Sequence, residues 1–369
     1  MIKIICVCGT RPNFVKIAPL LKAFSNHGGF ETLLIHTGQH YDVNMSKNFF
    51  ADLNIPEPEI NLNVGSCSSS LQKAQIMTRF EPVVSQFQPE YILVTGDVNS
   101  TVACSIVAKD LNIRLIHIEA GQRSHDRTMP EEINRVITDA ISDMLFVSEP
   151  SGVENLQKEG IDPKKIYLTG NVMIDTLIKN QKRAQQSDIL KQINIMPNSY
   201  GVLTLHRAGN VDNANTFSEI INAIGEIQHK MTIVFPIHPR TRNILKNMNL
   251  HERIDRMQNV TVTEPLGYLD FLNLISNARI VLTDSGGLQK ETAFLGIPCI
   301  TLRENTEWPE TLTDGTNHLV KLNTGDIITK FNDIMSRIGT YTRQQSTLND
   351  GKASERIVKI IYEKSQHKQ

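Results

Sequence analysis

The sequence predicts an α/β protein of two doubly wound parallel-sheet domains facing a cleft. Three observations carry this. The chain has 369 residues, and at ~150 residues per domain that length favours about two. Each half alternates short β-rich runs with helical patterns, as βα units on a mostly parallel sheet do. A polar stretch rich in Gln, Lys and Asn, residues 180–199, separates the two series.

In the first series strands are expected at 2–8, 31–37, 91–95, 114–119, 144–147 and 165–168. Helices are expected at 12–25, 72–87, 101–111 and 131–142, with another from Ser151. The second series places strands at 200–205, 232–236, 260–263, 280–283 and 298–301, and helices at 213–228, 268–276 and 288–295. The segment 354–364 reads as a helix packing back on the first domain. The domains are therefore assigned as 1–175 with 354–369, and 176–353. The run Cys67-Ser68-Ser69-Ser70 reads as a mobile loop.

Composition narrows the class. Hydrophobic residues make up 40% and charged residues 21%, with a formal net charge of -1, which is ordinary for a soluble globular protein. The balance argues against nucleic-acid partners and a polybasic membrane anchor. No apolar run approaches the ~20 residues of a membrane span. The chain starts on a strand-like run without a cationic leader, so a cytoplasmic location is expected. The five cysteines (Cys6, Cys8, Cys67, Cys104 and Cys299) read as free thiols. No His/Asp/Glu set has metal-ligand spacing, so neither a metal nor a cofactor is expected.

The chemistry is concentrated between Thr95 and Arg135. The runs Leu93-Val94-Thr95-Gly96-Asp97 and His117-Ile118-Glu119-Ala120-Gly121 each place an acid just past a buried strand, where open α/β sheets hold ligands. Met129-Pro130-Glu131-Glu132 then opens a helix. Asp97, Glu119 and Glu131 outline an acid–base site. His117 itself is expected to face the core.

Several turns suit phosphate. Gly9-Thr10-Arg11-Pro12 opens the first helix, and Arg11 with Lys16 supplies two cations; on spacing alone, an anion site and a plain βα turn fit equally. Thr283-Asp284-Ser285-Gly286-Gly287, with Glu291 beyond it, can form an anion nest at a helix start. His206-Arg207 ends a second-domain strand, a position that favours phosphate or proton transfer. His238-Pro239-Arg240 reads equally as a ligand contact or as a salt-bridged surface arginine. Gln39-His40-Tyr41 reads as a polar rim.

These runs resemble the non-hydrolysing UDP-N-acetylglucosamine 2-epimerase family. The resemblance is end to end and also includes Thr37-Gly38-Gln39-His40, Pro130-Glu131-Glu132-Ile133-Asn134-Arg135, Gly170-Asn171 and Gly315-Thr316-Asn317. It implies two Rossmann-like domains in the glycosyltransferase-B arrangement and a homodimer. It also implies an isomerase that converts UDP-N-acetylglucosamine (UDP-GlcNAc) into UDP-N-acetylmannosamine (UDP-ManNAc), by anti elimination of UDP and re-addition to 2-acetamidoglucal. By the same resemblance Asp97, Glu119 and Glu131 are the acid–base carboxylates. His206, Arg11 and Lys16 handle the diphosphate. Ser285, Gly286, Gly287 and Glu291 hold phosphate and ribose, and Phe271 stacks on uracil.

Some positions depart from the commonest family pattern. Asn13-Phe14 stands for Glu-Ala, Gln122 for Leu, Lys290 for Glu, and Trp308 for an arginine that helps bind the nucleotide. Lys290 with Trp308 is also similar to relatives acting on UDP-2,3-diacetamido-glucuronic acid. Tyr41 and Asn44 differ from relatives activated by a second UDP-GlcNAc. The competing readings are a hydrolysing 2-epimerase, which Arg11-Pro12 argues against, and a UDP-binding module without C2 chemistry, which leaves the three carboxylates idle.

Overall fold

A computed structural model describes residues 1–39, 49–341 and 347–366. The expected positions His40, Tyr41 and Asn44 lie outside them, as do residues 367–369. The chain divides into two compact units, Met1–Lys179 with Ser346–Gln369, and Asn180–Gln345.

The first unit is built on a parallel sheet of seven strands, β1 (Ile2–Cys8), β2 (Phe30–His36), β3 (Ile60–Asn61), β4 (Tyr91–Thr95), β5 (Arg114–Ala120), β6 (Met144–Val147) and β7 (Ile166–Leu168). Their spatial order is β3-β2-β1-β4-β5-β6-β7. The central strands are near-continuous apolar runs because helices cover both faces. All five residues of β4 are buried, and one core cluster joins Ile5, Val7, Ile92 and Val94 to Ile76 and Phe80. Order reverses between β1 and β4, so the turns after these strands open the crevice where such sheets bind ligands. Gly9 and Gly96 occupy those two turns.

The second unit repeats the plan. Strands β8 (Tyr200–Thr204), β9 (Thr232–Pro236), β10 (Val260–Thr263), β11 (Ile280–Thr283), β12 (Cys299–Thr301) and β13 (Asn317–Leu319) are ordered β10-β9-β8-β11-β12-β13. The reversal falls between β8 and β11, which pair in parallel from Ile280↔Gly201 to Thr283↔Thr204. His206-Arg207 and Asp284-Ser285-Gly286 follow these strands.

The last helix, Ala353–Gln366, lies in the first unit. Asp175 accepts hydrogen bonds from the backbone N–H groups of Ala353 and Ser354 and from the Ser354 hydroxyl. Tyr362 meets His27, with ring centroids 4.6 Å apart. The unit boundaries fall at 179/180 and 345/346, because the helix Val172–Ala184 carries the chain across the first and Asp175 ties the final segment to it.

The polar stretch expected to separate the domains is partly helical, in the end of that helix and in Ile189–Gln192. The run expected as a mobile loop ends inside a helix, because Ser69 and Ser70 form the first turn of Ser69–Phe87. No helix among the described residues is long and apolar enough to cross a membrane.

Candidate active site

Glu119 sits at a register irregularity between Ile118 and Ala120, where the pairing of β5 with β6 shifts before resuming at Ala120↔Val147. Its φ is 71°, a left-handed conformation rare for a residue with a long side chain. A bulge re-aims a side chain, and here the carboxylate is turned into a nearly buried position, 8% exposed. Lys16, from the helix Arg11–His27, places its ammonium 2.6 Å from Glu119 Oε1. Glu119 Oε2 is buried without a hydrogen-bond partner among the described residues. One oxygen is fixed by a cation and the other is left unused, which suits a group that must take or give a proton. Gly96 makes room for this pair. A Cβ there would lie 2.7 Å from Lys16 Nζ.

Asp97 forms an ion pair with Arg135. The same guanidinium lies 2.8 Å from Glu132, which also accepts from Ser124 and from the His125 N–H. Glu132 is thereby a loop anchor. Its neighbour Glu131 is half-buried in the first turn of Pro130–Ile141, and no partner for its carboxylate is found among the described residues. This separates the two adjacent glutamates. One is consumed by structure and the other stays available for chemistry.

Asn13 ties the first switch point together. Its Oδ1 accepts from the Gly9 and Thr10 N–H groups and the Thr10 hydroxyl. Its Nδ2 donates to the Thr95 carbonyl and hydroxyl oxygens. Two N–H donors of the Gly9-Thr10 turn are therefore already satisfied, so anion binding there would rest chiefly on Arg11. That guanidinium lies 6.0 Å from the Phe49 ring centroid. Gln39, expected at a polar rim, is buried and accepts from Ser100 N–H and Oγ.

In the second unit Asp284 is fully buried after β11. It accepts from the backbone N–H groups of His206 and Arg207 and stands 2.8 Å from His206 Nδ1. Burial alone would push Asp284 up, but His206 and these N–H donors outweigh it and hold the carboxyl below its usual range. The carboxylate fixes the ring with Nδ1–H donating, which leaves Nε2 available to a ligand. The His206 side chain is 45% exposed.

Ser285 stands at the N-cap position of the helix Gly286–Leu295, without a side-chain capping bond. As its first residues, Gly286 and Gly287 have N–H groups without intrahelical acceptors, and the helix dipole favours an anion there. A Cβ on Gly286 would lie 3.5 Å from Glu307 Oε1, and Glu307 bridges Arg207 at 3.1 Å and Arg303 at 2.7 Å. Glu291, one turn further along, is buried, and desolvation pushes its carboxyl up to about 7. Phe271 is half-buried in Tyr268–Ser276.

Lys290 is fully buried, its ammonium 5.7 Å from the centroid of the Trp308 ring. The two positions that depart together from the commonest pattern therefore touch. Arg240 pairs with Asp212 at 2.5 Å on the surface, and His238 accepts from the Arg240 N–H. Of the two readings of that run, the salt-bridged arginine holds. Among the described residues no group of three or more His, Cys, Asp or Glu side chains is placed to hold a metal ion.

Sequence reasoning named Asp284 and Arg135 only within their runs and Asn13 only as a departure, and gave none of them an individual role. Asp284 carried a usable signal, an acid directly after a buried strand and next to a Ser-Gly-Gly turn. The roles of Arg135 and Asn13 depend on partners 38 and 82 residues away, and no local pattern reports them.

Two doubly wound units, one bearing Asp97, Glu119 and Glu131 and the other a His–Asp pair beside a glycine-started helix, define an enzyme with the two-domain α/β fold of the glycosyltransferase-B type. A family model for UDP-N-acetylglucosamine 2-epimerase matches residues 22–362, and the chain belongs to that family. A Methanococcus maripaludis protein named as a UDP-N-acetylglucosamine 2-epimerase homolog is 43% identical over 97% of this chain and 99% of its own. A Pseudomonas aeruginosa UDP-2,3-diacetamido-2,3-dideoxy-D-glucuronate 2-epimerase is 36% identical over 97% and 99%. The Methanocaldococcus jannaschii UDP-GlcNAc 2-epimerase, solved in complex with UDP-GlcNAc and UDP, superimposes with a TM-score of 0.92. It is 40% identical, covering 98% of this chain and 100% of that one.

Proposed function

We propose that this chain inverts C2 of UDP-GlcNAc without hydrolysis, giving UDP-ManNAc. The observation that carries the reading is Glu119, held left-handed at a bulge with one oxygen on Lys16 and the other unpartnered. In the first half-reaction a carboxylate takes the C2 proton, the C1–C2 double bond forms, and the C1–oxygen bond breaks to release UDP. UDP then re-adds at C1 of 2-acetamidoglucal while C2 receives a proton on its opposite face. Asp97, Glu119 and Glu131 are the groups assigned to these transfers. Expulsion places negative charge on the β-phosphate, where His206, Arg11 and the Ser285-Gly286-Gly287 helix start would act. Glu291 and Phe271 are assigned to ribose and uracil.

Lys16 is reassigned in part, since its ammonium serves Glu119 as well as any diphosphate. A homodimer belongs to the same reading, supported by Ile133 and Ile137, 37% and 39% exposed one turn apart on Pro130–Ile141. So do a cytoplasmic location and a role in polysaccharide biosynthesis, which rest on the resemblance.

The test is proton NMR of the protein with UDP-GlcNAc. Conversion to a mixture of the two UDP-sugars, reached from either epimer, is expected. Free N-acetylmannosamine rising in step with UDP would instead make this a hydrolysing enzyme.

A second reading is favoured by Lys290 and Trp308, the pair of residues similar to relatives of the Pseudomonas aeruginosa type. It keeps the C2 chemistry and changes the sugar to UDP-2,3-diacetamido-glucuronic acid. Comparing kcat/KM for the two sugars decides between them.

A further inference from the structure

His117 is fully buried on β5, two residues before Glu119, and both ring nitrogens face acceptors. Nε2 lies 2.9 Å from the Gly96 carbonyl oxygen, which can only accept. Nδ1 lies 2.6 Å from Asp139 Oδ1. Asp139 Oδ2 in turn accepts from the Gly121 N–H at 3.0 Å and from Arg123 at 2.7 Å. Arg123 also reaches Glu159 at 2.7 Å. Burial would push Asp139 up, yet His117 and Arg123 outweigh it and hold the carboxyl below the usual range. A carboxylate on one side and a carbonyl on the other leave the ring no donor to accept from.

The contacts fall on backbone that the site needs. Gly96 precedes Asp97 and has φ 65°, Glu119 has φ 71°, and Gly121 has φ 80°. The Gly96 N–H donates to the Ile118 carbonyl at 3.0 Å, so the turns after β4 and β5 are joined directly. Left-handed backbone at Glu119 persists only if its surroundings over-determine it. Asp139 holds the chain two residues after Glu119, and His117 holds it two residues before.

We propose that His117, through Asp139 and the Gly96 carbonyl, fixes the two turns that carry Asp97 and Glu119. His117 and Asp139 are thus positioning residues. Their effect on turnover rests on the epimerase reading, whereas their hydrogen bonds to the two turns do not. The charged groups around the ring are Asp139, with Arg123 and Glu159 behind it, and beyond Gly96 and Glu119 the Lys16–Glu119 and Arg135–Asp97 pairs.

The experiment has two arms. In nitrogen-15 NMR of the histidine-labelled wild-type protein, with His117 assigned by its loss in His117→Gln, Nε2 should carry a hydrogen, donated to the Gly96 carbonyl, that exchanges slowly with water. A bare Nε2, or a hydrogen there that exchanges freely, overturns the proposal. In the second arm, His117→Gln keeps a donor for Gly96 and His117→Asn keeps one for Asp139. Each should lower kcat about a hundredfold, the penalty of a misplaced reacting group, with the Kd for UDP unchanged. Wild-type kcat in either variant also overturns it. A wild-type protein without C2 exchange would defeat the epimerase reading and leave the NMR arm standing.

Discussion

The Lys16 ammonium stands 2.6 Å from Glu119 Oε1, with both side chains under a tenth exposed. A buried pair of this kind stabilises little in itself, but removing one partner strands a charge, at about 3–5 kcal/mol. Lys16→Met and Glu119→Gln should each destabilise the protein on that scale. The double variant should recover much of the loss, because neither charge remains. Urea denaturation of the four proteins closes the cycle, and strictly additive effects would contradict the pairing.

The left-handed backbone at Glu119 predicts an ordering of stabilities. Glu119→Gly and Glu119→Ala both remove the carboxylate, but only glycine relieves the strain of φ 71°. The glycine variant should be the more stable by about 1 kcal/mol. An alanine variant equal to or above it would show that the backbone relaxes freely.

Asp284 fixes the His206 ring through Nδ1. Asp284→Asn should reduce kcat by roughly a hundred- to ten-thousand-fold, the usual range for a positioned acid–base group. The pH sign is definite. A carboxyl lowered by folding contributes stability above its unfolded pKa of ~3.9, and that contribution is lost as pH falls through the folded value. The stability gap between wild type and Asp284→Asn should therefore narrow as acid is added.

Glu291 behaves in the opposite sense. Burial raises its carboxyl from 4.5 to about 7, so between these values the folded protein binds more protons than the unfolded chain. Stability should fall as pH rises through that window and level off above it. Glu291→Gln should flatten this segment of the curve, as measured by urea titrations across the range.

Much of this was legible in the sequence. The strands β1, β4, β6, β9, β10 and β11 were expected with the ends they have, because their unbroken β-branched and apolar runs stop at Gly, Pro or polar residues. The two-residue β3 is too short to show a period, and β13 was not expected because two of its three residues, Asn317 and His318, are polar. Helices such as Pro239–Asn247 and Thr324–Ser336 were also missed, because charged and polar residues dilute their apolar faces. The motifs placed Asp97, Glu119, Glu131 and His206 at strand or helix ends. They did not show that Lys16 would face Glu119, that Arg135 would hold Asp97, or that Asn13 would occupy the Gly9 turn. Those contacts are set by the sheet order, which brings β1 beside β4 and β4 beside β5.

The central claim is transfer of the C2 proton with Glu119 taking part, and deuterium tests it most directly. Wild-type protein with UDP-GlcNAc in D₂O should place deuterium at C2 of both epimers without free sugar, and Glu119→Gln should incorporate none while still binding UDP. Wild-type protein that binds UDP but leaves C2 protonated, or a Glu119→Gln variant that exchanges at the wild-type rate, would contradict it.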